Sequence, residues 1–304
     1  MDNASNPDHA RAPHVLDAEH RRLVGVSGTP GCYVAGEGPP LLLVHSINAA
    51  ASAYELHTVF THARRTRRVY ALDLPGFGTA AREPRRYDIG LYVRTLLDTI
   101  DLIAAECGPA PFDAMALSLG CEFLAAAAAA RPGRIRALAL VSPTGFDARS
   151  ARRAARTQDS LEVPGVHAVL SLPGLGAGLY RLLTTRRSVA YFMRRTYGSD
   201  AVTPDVIDVA WRNARVDGAH HAPLTFLSGR LFHANPRALY EALTQPVWVA
   251  QPTRGDFCDF SAAGWARQRE DWRFSTFATG ALPQLEAPAA FLAQWDDFLL
   301  TLSG

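Results

Sequence analysis

The sequence contains no lysine, so all 31 of its basic residues are arginine. This absence excludes Schiff-base catalysis, attachment of pyridoxal phosphate and a phosphate-binding P-loop, because each of these needs a lysine side chain. The arginines face 29 acidic residues, and a formal net charge of +2 gives no general electrostatic case for binding nucleic acid or an anionic membrane. We therefore expect neither kind of partner.

Cysteine and long apolar runs are also scarce. The four cysteines form no Cys-x-x-Cys pair, and a chain of 304 residues builds a core without disulfides, so we expect a reduced, cytoplasmic protein. Residues 1–22 are polar and lack the apolar run of a signal peptide, and no stretch approaches the length of a membrane span. We predict a flexible N-terminal tail over residues 1–22.

Patterns that would hold a metal ion or a cofactor are missing as well. The sequence has no His-x-x-x-His pattern, no cluster of cysteines and histidines, and no Gly-x-Gly-x-x-Gly loop. We therefore predict no metal and no cofactor.

Short apolar runs alternate with segments of helical length. Continuous apolar runs of this kind are typical of strands that are covered on both faces, and the alternation favours a mostly parallel sheet with helices on both sides. The predicted strands cover 41–44, 69–72, 114–117, 138–141 and 247–250. The predicted helices cover 51–63, 91–107, 120–130 and 288–300. The fold class is therefore α/β.

The alternation breaks between residues 147 and 233. This interval has helix-compatible stretches separated by prolines and glycines, and it has few strand-like runs. We interpret it as an inserted helical cap. The core then consists of residues 23–146 and 234–304.

The segment Asp113-Ala-Met-Ala-Leu-Ser-Leu-Gly120 carries the clearest chemical signal. An apolar strand ends at Ser118 and an alanine-rich helix follows at once, which is the pattern of a nucleophile elbow. The turn is tight, so the residues two before and two after the serine must be small, and here they are Ala116 and Gly120. A helix N-cap is the alternative role for Ser118.

Two further segments extend this pattern into a resemblance. Leu41 to Ser46, read as Leu-Leu-Leu-Val-His-Ser, resembles a strand with its oxyanion turn, and Asp73-Leu-Pro-Gly-Phe-Gly78 matches an Asp-x-Pro-Gly-x-Gly loop. With the elbow they follow the order of the α/β-hydrolase family, and the resemblance runs from about Gly25 to Leu302. It implies that Ser118 is the nucleophile.

The resemblance also implies the surroundings of that serine. The amides of Leu119 and Ile47 take the positions of the oxyanion donors. Ser46 stands where a glycine is usual, and Asn48 could add another donor. We expect His45, Ser46 and Asn48 to line the substrate pocket.

The acid of the implied catalytic set follows the strand at 247–250. The resemblance points to Asp256, with Asp259 as the fallback. Either carboxylate could instead cap the loop.

The chain departs from the family pattern at the catalytic base. The usual frame Gly-His-x-x-x-x-Glu-x-Pro is present as Gly280 to Pro288, but Ala281 stands in place of the histidine. An alanine cannot accept the proton of Ser118, and losing the histidine of a working triad costs about a millionfold in turnover. Glu286 in the same frame could brace the last helix or act as a substitute acid or base.

Three explanations of Ala281 remain open. The chain could be an engineered inactive variant, or the native protein could recruit another histidine, with His221 as the first candidate and His45 as the second. Alternatively, the chemistry could need no triad base, as in a cyclisation or lyase step or in ligand binding.

The predicted function is an enzyme of the hydrolase type. We expect it to act through Ser118 on an ester, thioester or related carbonyl of a small to medium apolar substrate. The alternatives are a non-hydrolytic biosynthetic enzyme and a catalytically silent ligand-binding protein. Nothing in the sequence supports a carrier protein or an oligomer as a partner.

Overall fold

A single eight-stranded sheet forms the centre of the protein. The computed structural model describes residues 12–153, 159–172 and 174–302. The strands are β1 (Glu19–Arg22), β2 (Gly31–Ala35), β3 (Pro40–Val44), β4 (Arg68–Asp73), β5 (Phe112–Leu117), β6 (Ile135–Val141), β7 (Val247–Pro252) and β8 (Trp272–Phe277). They lie in the order β1-β2-β4-β3-β5-β6-β7-β8, with the first two pairings antiparallel and the rest parallel.

Helices cover both faces of this sheet. In chain order they are α1 (His57–Ala63), α2 (Ile89–Cys107), α3 (Gly120–Ala130), α4 (Ala148–Arg153), α5 (Val166–Leu170), α6 (Leu175–Leu183), α7 (Arg186–Tyr197), α8 (Pro204–Asn213), α9 (His221–Leu227), α10 (Pro236–Glu241), α11 (Gly264–Arg267), α12 (Pro283–Glu286) and α13 (Pro288–Thr301). Helices α2, α3 and α10 pack on one face, and α1 and α13 pack on the other. The predicted α/β class is confirmed.

The apolar runs are explained by this double covering. Leu42 and Val44 of β3 join the apolar cluster under α2 and α3, whereas Leu41 and Leu43 join the cluster under α1 and α13. All four side chains are buried. Successive side chains of a strand point to opposite faces, so a strand covered on both sides favours apolar residues at consecutive positions.

The sequence prediction missed the two edge strands and the strand next to β1. β1, β2 and β8 were not predicted, and β1 lies inside the segment predicted as a flexible tail. That prediction is wrong for Glu19–Arg22, because these residues pair with residues 31–34 of β2 along one edge of the sheet. Residues 1–11 of the predicted tail lie outside the described residues.

The interval that was predicted as a cap is helical where it is described. Helices α4 to α9 all lie between β6 and β7. An isolated bridge between Ser160 and His233 joins the start of this interval to its end. We name residues 159–233 the cap, and its treatment as a separate unit is our interpretation of the chain.

The loop after β4 is held by one buried carboxylate. Asp73 accepts hydrogen bonds from the amide of Ala53 at 2.8 Å, from the amide of Thr79 at 2.8 Å and from the hydroxyl of Thr79 at 2.7 Å. A Cβ atom at Gly78 would collide with this carboxylate, which explains the glycine.

No helix within the described ranges is long and apolar enough to cross a bilayer.

Candidate active site

Ser118 occupies a strained turn between β5 and α3. Its φ angle is +54°, a left-handed conformation that a residue with a side chain adopts at a cost. The turn is held in place because the amide of Ser118 donates a hydrogen bond of 2.8 Å to the carbonyl of Val141 at the end of β6. The serine is partly exposed between buried neighbours. Strain at a partly exposed serine is the backbone geometry of a nucleophile elbow.

The small residues around Ser118 have a steric reason. A Cβ atom at Gly120 would lie 2.5 Å from the carbonyl oxygen of His45, and Ala116 is completely buried. Any larger residue at position 120 would push the end of β3 away from the start of α3. The glycine therefore keeps the turn after β3 beside the elbow.

The two predicted oxyanion donors lie at this junction. Leu119 follows Ser118, Ile47 lies in the turn after β3, and both side chains belong to one apolar cluster. Within the described residues, neither of their amides donates a hydrogen bond to another group of the chain. Free main-chain amides at such a junction can stabilise negative charge on a carbonyl oxygen.

A carboxylate that the sequence analysis missed holds the turn after β3. Glu55 accepts hydrogen bonds from the amide of Ser46 at 2.8 Å, from the hydroxyl of Ser46 at 2.9 Å and from the side-chain amide of Asn48 at 2.7 Å. The side-chain oxygen of Asn48 accepts from the amide of Ala50 at 2.8 Å. Ser46 and Asn48 are thus bound within the turn. In the sequence, the only signal for Glu55 was the pair Ser46 and Asn48, whose polar side chains need an acceptor nearby.

His45 does not line a pocket and cannot serve as the base. Its side chain is fully buried. Its Nε2 accepts a hydrogen bond of 2.9 Å from the amide of Leu74, so its Nδ1 carries the proton and donates to the carbonyl of Ser46 at 2.5 Å. Both ring nitrogens are therefore occupied by the main chain, and the predictions of His45 as a pocket residue and as an alternative base are corrected.

Two hydrogen bonds, made by the adjacent residues Val141 and Ser142, link the elbow to the loop that carries Ala281. The amide of Ser118 is bonded to Val141, and the hydroxyl of the next residue, Ser142, donates a hydrogen bond of 2.8 Å to the carbonyl of Ala281. The alanine is buried, with 6% of its surface exposed. The loop that carries Ala281 is therefore linked to the elbow, but the side chain at this position is a methyl group.

The C-terminal end of helix α7 is docked on this loop. The amide of Ala281 donates a hydrogen bond of 2.8 Å to the carbonyl of Thr196, and Gly280 packs against the main chain of Tyr197 so closely that a Cβ atom would not fit. Gly198 and Gly255 are in similarly close contact. One end of a cap helix thus covers both loops that the resemblance assigns to the acid and the base.

Asp256 is engaged by the same helix. Its carboxylate accepts a hydrogen bond of 2.8 Å from Nε of Arg195 and forms an ion pair of 2.5 Å with Nη2, and its side chain is about half exposed, at 48%. The predicted acid therefore pairs with a cap arginine. The fallback, Asp259, accepts from the amides of Ser261 at 3.0 Å and Ala148 at 3.3 Å, which is the alternative role of a loop cap.

His221 lies in the cap, next to a residue that contacts the loop after β4. It begins α9, and the next residue, Ala222, packs against Gly76 of the loop after β4. Its ring lies 4.0 Å from that of His220, which in turn lies 6.3 Å from the ring of Tyr180. The hydroxyl of Tyr180 donates a hydrogen bond of 2.6 Å to the carbonyl of Ala49. The histidine pair therefore lies near Tyr180, which in turn contacts the residues that follow Ile47.

The electrostatics of His221 suit a proton acceptor. Burial lowers the pKa of His221, and burial together with His221 lowers the pKa of His220. Both imidazoles are therefore neutral at neutral pH. No contact in the described structure joins either ring to Ser118.

Two other carboxylates surround the site. Glu286 accepts a hydrogen bond of 2.8 Å from the amide of Gly280 and one of 3.0 Å from Arg254, so it braces the loop that carries Ala281. Burial raises the pKa of Glu286. Glu122 on α3 was missed: burial raises its pKa to about 7, and it accepts from the hydroxyl of Thr144 and from the amide of His233. The sequence feature that could have identified Glu122 is an acidic residue inside an alanine-rich helix.

The described residues do not bring together a set of metal ligands. No group of three or more histidine, cysteine, aspartate or glutamate side chains in these ranges could hold a metal ion.

The fold is shared with many solved structures. A serine hydrolase involved in carbazole degradation, CarC, superposes with a TM-score of 0.72 at 18% identity, covering 93% of this chain and 99% of that one. A probable hydrolytic enzyme from Pseudomonas aeruginosa PAO1 gives a TM-score of 0.70 at 16% identity, covering 93% and 95%. An alpha/beta hydrolase fold protein from Burkholderia ambifaria gives 0.67 at 18% identity, covering 93% and 99%.

Sequence comparison separates the family from individual relatives. No curated protein matches this chain in sequence. A family model described as the alpha/beta hydrolase family matches residues 41–295, which include the elbow, the turn after β3 and the loop that carries Ala281. This match spans most of the sheet and the whole cap. The chain therefore belongs to the alpha/beta hydrolase family.

Proposed function

We propose that the protein acts on the carbonyl of an ester, thioester or related apolar substrate of small to medium size. The observation that carries this proposal is the strained Ser118 at the junction of β5 and α3, together with the amides of Leu119 and Ile47, which donate no hydrogen bond to another described residue. A carbonyl carbon attacked by a hydroxyl places negative charge on its oxygen, and two fixed main-chain donors stabilise that charge. The names of two similar structures, a serine hydrolase and a hydrolytic enzyme, support the same class.

In this proposal His221 takes the proton from Ser118. The Oγ atom forms a bond to the carbonyl carbon, its proton passes to the neutral imidazole, and the leaving alcohol or thiol receives that proton. Water then cleaves the acyl-enzyme and returns the serine. His221 is favoured because position 281 has no imidazole and because both nitrogens of His45 are occupied.

Labelling with a fluorophosphonate tests the role of Ser118. We expect covalent labelling of the wild-type protein and none of the Ser118→Ala variant, with the label found on the peptide that contains residue 118. The matched control is Ser188→Ala, which changes a partly exposed serine of α7 whose hydroxyl bonds to Thr185. No labelling of wild type, or labelling that survives in Ser118→Ala, would refute the proposal.

Kinetics on nitrophenyl esters test the base. His221→Ala is expected to lower kcat/KM by about a hundredfold, in line with the loss of a general base. His62→Ala is the control, because that histidine pairs with Asp296 on the far side of the sheet. Equal activity of His221→Ala and wild type would remove His221 from the mechanism and leave the role of Ser118 standing.

A second candidate function is non-covalent: ligand binding, or a cyclase or lyase step in which Ser118 only positions a carbonyl. It is supported by the pairing of Asp256 with Arg195, because a carboxylate held by an arginine is less available to orient a base. This candidate predicts that a bound apolar carbonyl compound raises Tm while Ser118 stays unlabelled. Labelling of Ser118 would exclude it.

A further inference from the structure

A long stretch of the cap carries positive charge only. Residues 163–199, which we name the basic cap segment, contain no aspartate and no glutamate. The segment includes five arginines: Arg181, Arg186, Arg187, Arg194 and Arg195. The net charge of +2 for the whole chain therefore averages over regions of very different charge.

The same segment exposes an unusual share of large apolar side chains. Seven of the eleven large apolar residues that are exposed within the described residues belong to it. They are Val163, Val169, Leu172, Leu175, Leu182, Tyr191 and Phe192. Scattered exposed apolar residues are normal on a protein surface, but a concentration on consecutive helices marks a site of contact.

Helix α6 shows how the two features are combined. Gly176, Tyr180 and Thr184 follow one another at helical spacing and face the protein interior. Leu175 and Leu182 remain 51% and 68% exposed. Arg181 lies beside Leu182 and is also exposed. The outer face of this helix thus exposes both apolar and cationic side chains to solvent.

Not all of the arginines are neutralised by neighbouring acids. Arg186 pairs with Asp208, Arg194 pairs with Asp200, and Arg195 pairs with Asp256. For Arg181 and Arg187, the described ranges contain no ion pair. The surface therefore offers unpaired cations among exposed leucine and aromatic side chains.

We propose that the basic cap segment docks on the surface of an anionic lipid bilayer. Short helices with apolar and arginine side chains on one face lie in the plane of the interface, where the apolar groups enter the headgroup region and the arginines meet lipid phosphates. The complete lack of acidic residues over the segment matches a partner of uniform negative charge. This proposal does not depend on the chemistry of Ser118.

Co-sedimentation with vesicles tests the docking. The full chain is mixed with vesicles of phosphatidylcholine alone and with vesicles in which one lipid in three is phosphatidylglycerol. We expect at least tenfold more binding to the anionic vesicles and a marked loss of binding at high salt, because salt screens the exposed charges. No binding, or equal binding to both vesicles at all salt concentrations, would overturn the proposal.

Matched variants assign the binding to this face. Leu182→Asp should reduce binding to the anionic vesicles by at least tenfold, and Arg187→Gln should reduce it about fivefold, the size expected for one arginine at such a surface. The control is Leu300→Asp on α13, whose leucine is 71% exposed but lies on the core. It should bind like wild type.

Two outcomes would overturn the assignment. One is equal loss of binding in Leu182→Asp and Leu300→Asp, with thermal unfolding showing that both variants are folded. The other is a mass that rises with concentration in the absence of vesicles and falls in Leu182→Asp, because this would assign the face to a second copy of the chain.

Discussion

The core of this protein buries its apolar residues, whereas the cap leaves many large apolar residues exposed. In the core, β3 to β7 bury nearly every side chain on both faces of the sheet, and the buried carboxylate of Asp73 has three hydrogen-bond donors. In the cap, short helices leave leucine, valine and aromatic side chains half exposed beside arginines. The difference indicates that the core is complete by itself, whereas the outer face of the cap is suited to a partner.

The two regions meet at the candidate site. The core carries Ser118 and the two amides, and the cap carries the helix end that covers Ala281 and Asp256. Substitutions on the core side and on the cap side of this meeting point should therefore have different effects.

The largest effect is expected from restoring the acid–base pair. The double variant Ala281→His with Arg195→Gln supplies an imidazole and frees Asp256 from its cap partner, and we expect kcat/KM on nitrophenyl esters to rise about a hundredfold. Ala281→His alone should gain less, because Arg195 still holds the carboxylate. Adding Ser118→Ala should abolish the gain. Full gain from the single variant would show that the cap does not withhold Asp256.

Gly120→Ala should be the most disruptive change to the core. Its Cβ atom would lie 2.5 Å from the carbonyl oxygen of His45, and neither backbone can move freely. We expect a loss of about 3 kcal/mol in the free energy of unfolding, measured with urea. A stability within experimental error of wild type would mean that the close approach of β3 and α3 is not maintained in solution.

Glu122→Gln should change the pH dependence of stability. The folded chain keeps a proton on Glu122 up to a pKa of about 7, against 4.5 for the ordinary group, so its contribution to stability is present at low pH and is lost as the pH rises through 7. Glutamine removes a cost of about 3 kcal/mol at pH 8.

The measurement is Tm across the pH range from 5 to 8. The drop in Tm toward pH 8 should be smaller in Glu122→Gln than in wild type. Glu241→Gln, at an exposed pair with Arg237, should leave the profile unchanged. Parallel profiles for Glu122→Gln and wild type would contradict the burial of a carboxyl group at this position.

The smallest effect is expected in the cap, from Gly178→Ala. This glycine lies inside α6, and a Cβ atom there would meet nothing within 4 Å. Alanine should therefore stabilise the helix by roughly 0.5–1 kcal/mol, the ordinary difference in helix propensity. Urea unfolding measures it beside Gly120→Ala. A destabilised Gly178→Ala would show that α6 is packed more tightly than its exposed face indicates.

The sequence was sufficient to predict the centre of the fold and the position of Ser118. Strands β3 to β7 are continuous apolar runs, because burial on both faces leaves no alternation, and the small residues around Ser118 follow from the tight turn. Strands β1 and β8 were missed because they are edge strands with mixed burial. Glu19–Arg22 are all polar, so pairing with β2 had no apolar signal.

The parts of the site that could not be predicted depend on contacts between distant segments. The partner of Asp256 is Arg195, 61 residues earlier in the chain, and no local pattern connects them. The Nε2 atom of His45 is occupied only because Leu74, 29 residues later in the chain, folds back beside it. The net charge also says little about single segments, because a total of +2 includes a cap segment without acids.

A crystal structure of the protein after treatment with a fluorophosphonate tests the central claim most directly. The account predicts a phosphorus atom bonded to the Oγ atom of Ser118, with one phosphonyl oxygen about 2.7–3.1 Å from the amides of both Leu119 and Ile47. An unmodified Ser118, or an adduct whose oxygen contacts neither amide, would contradict it.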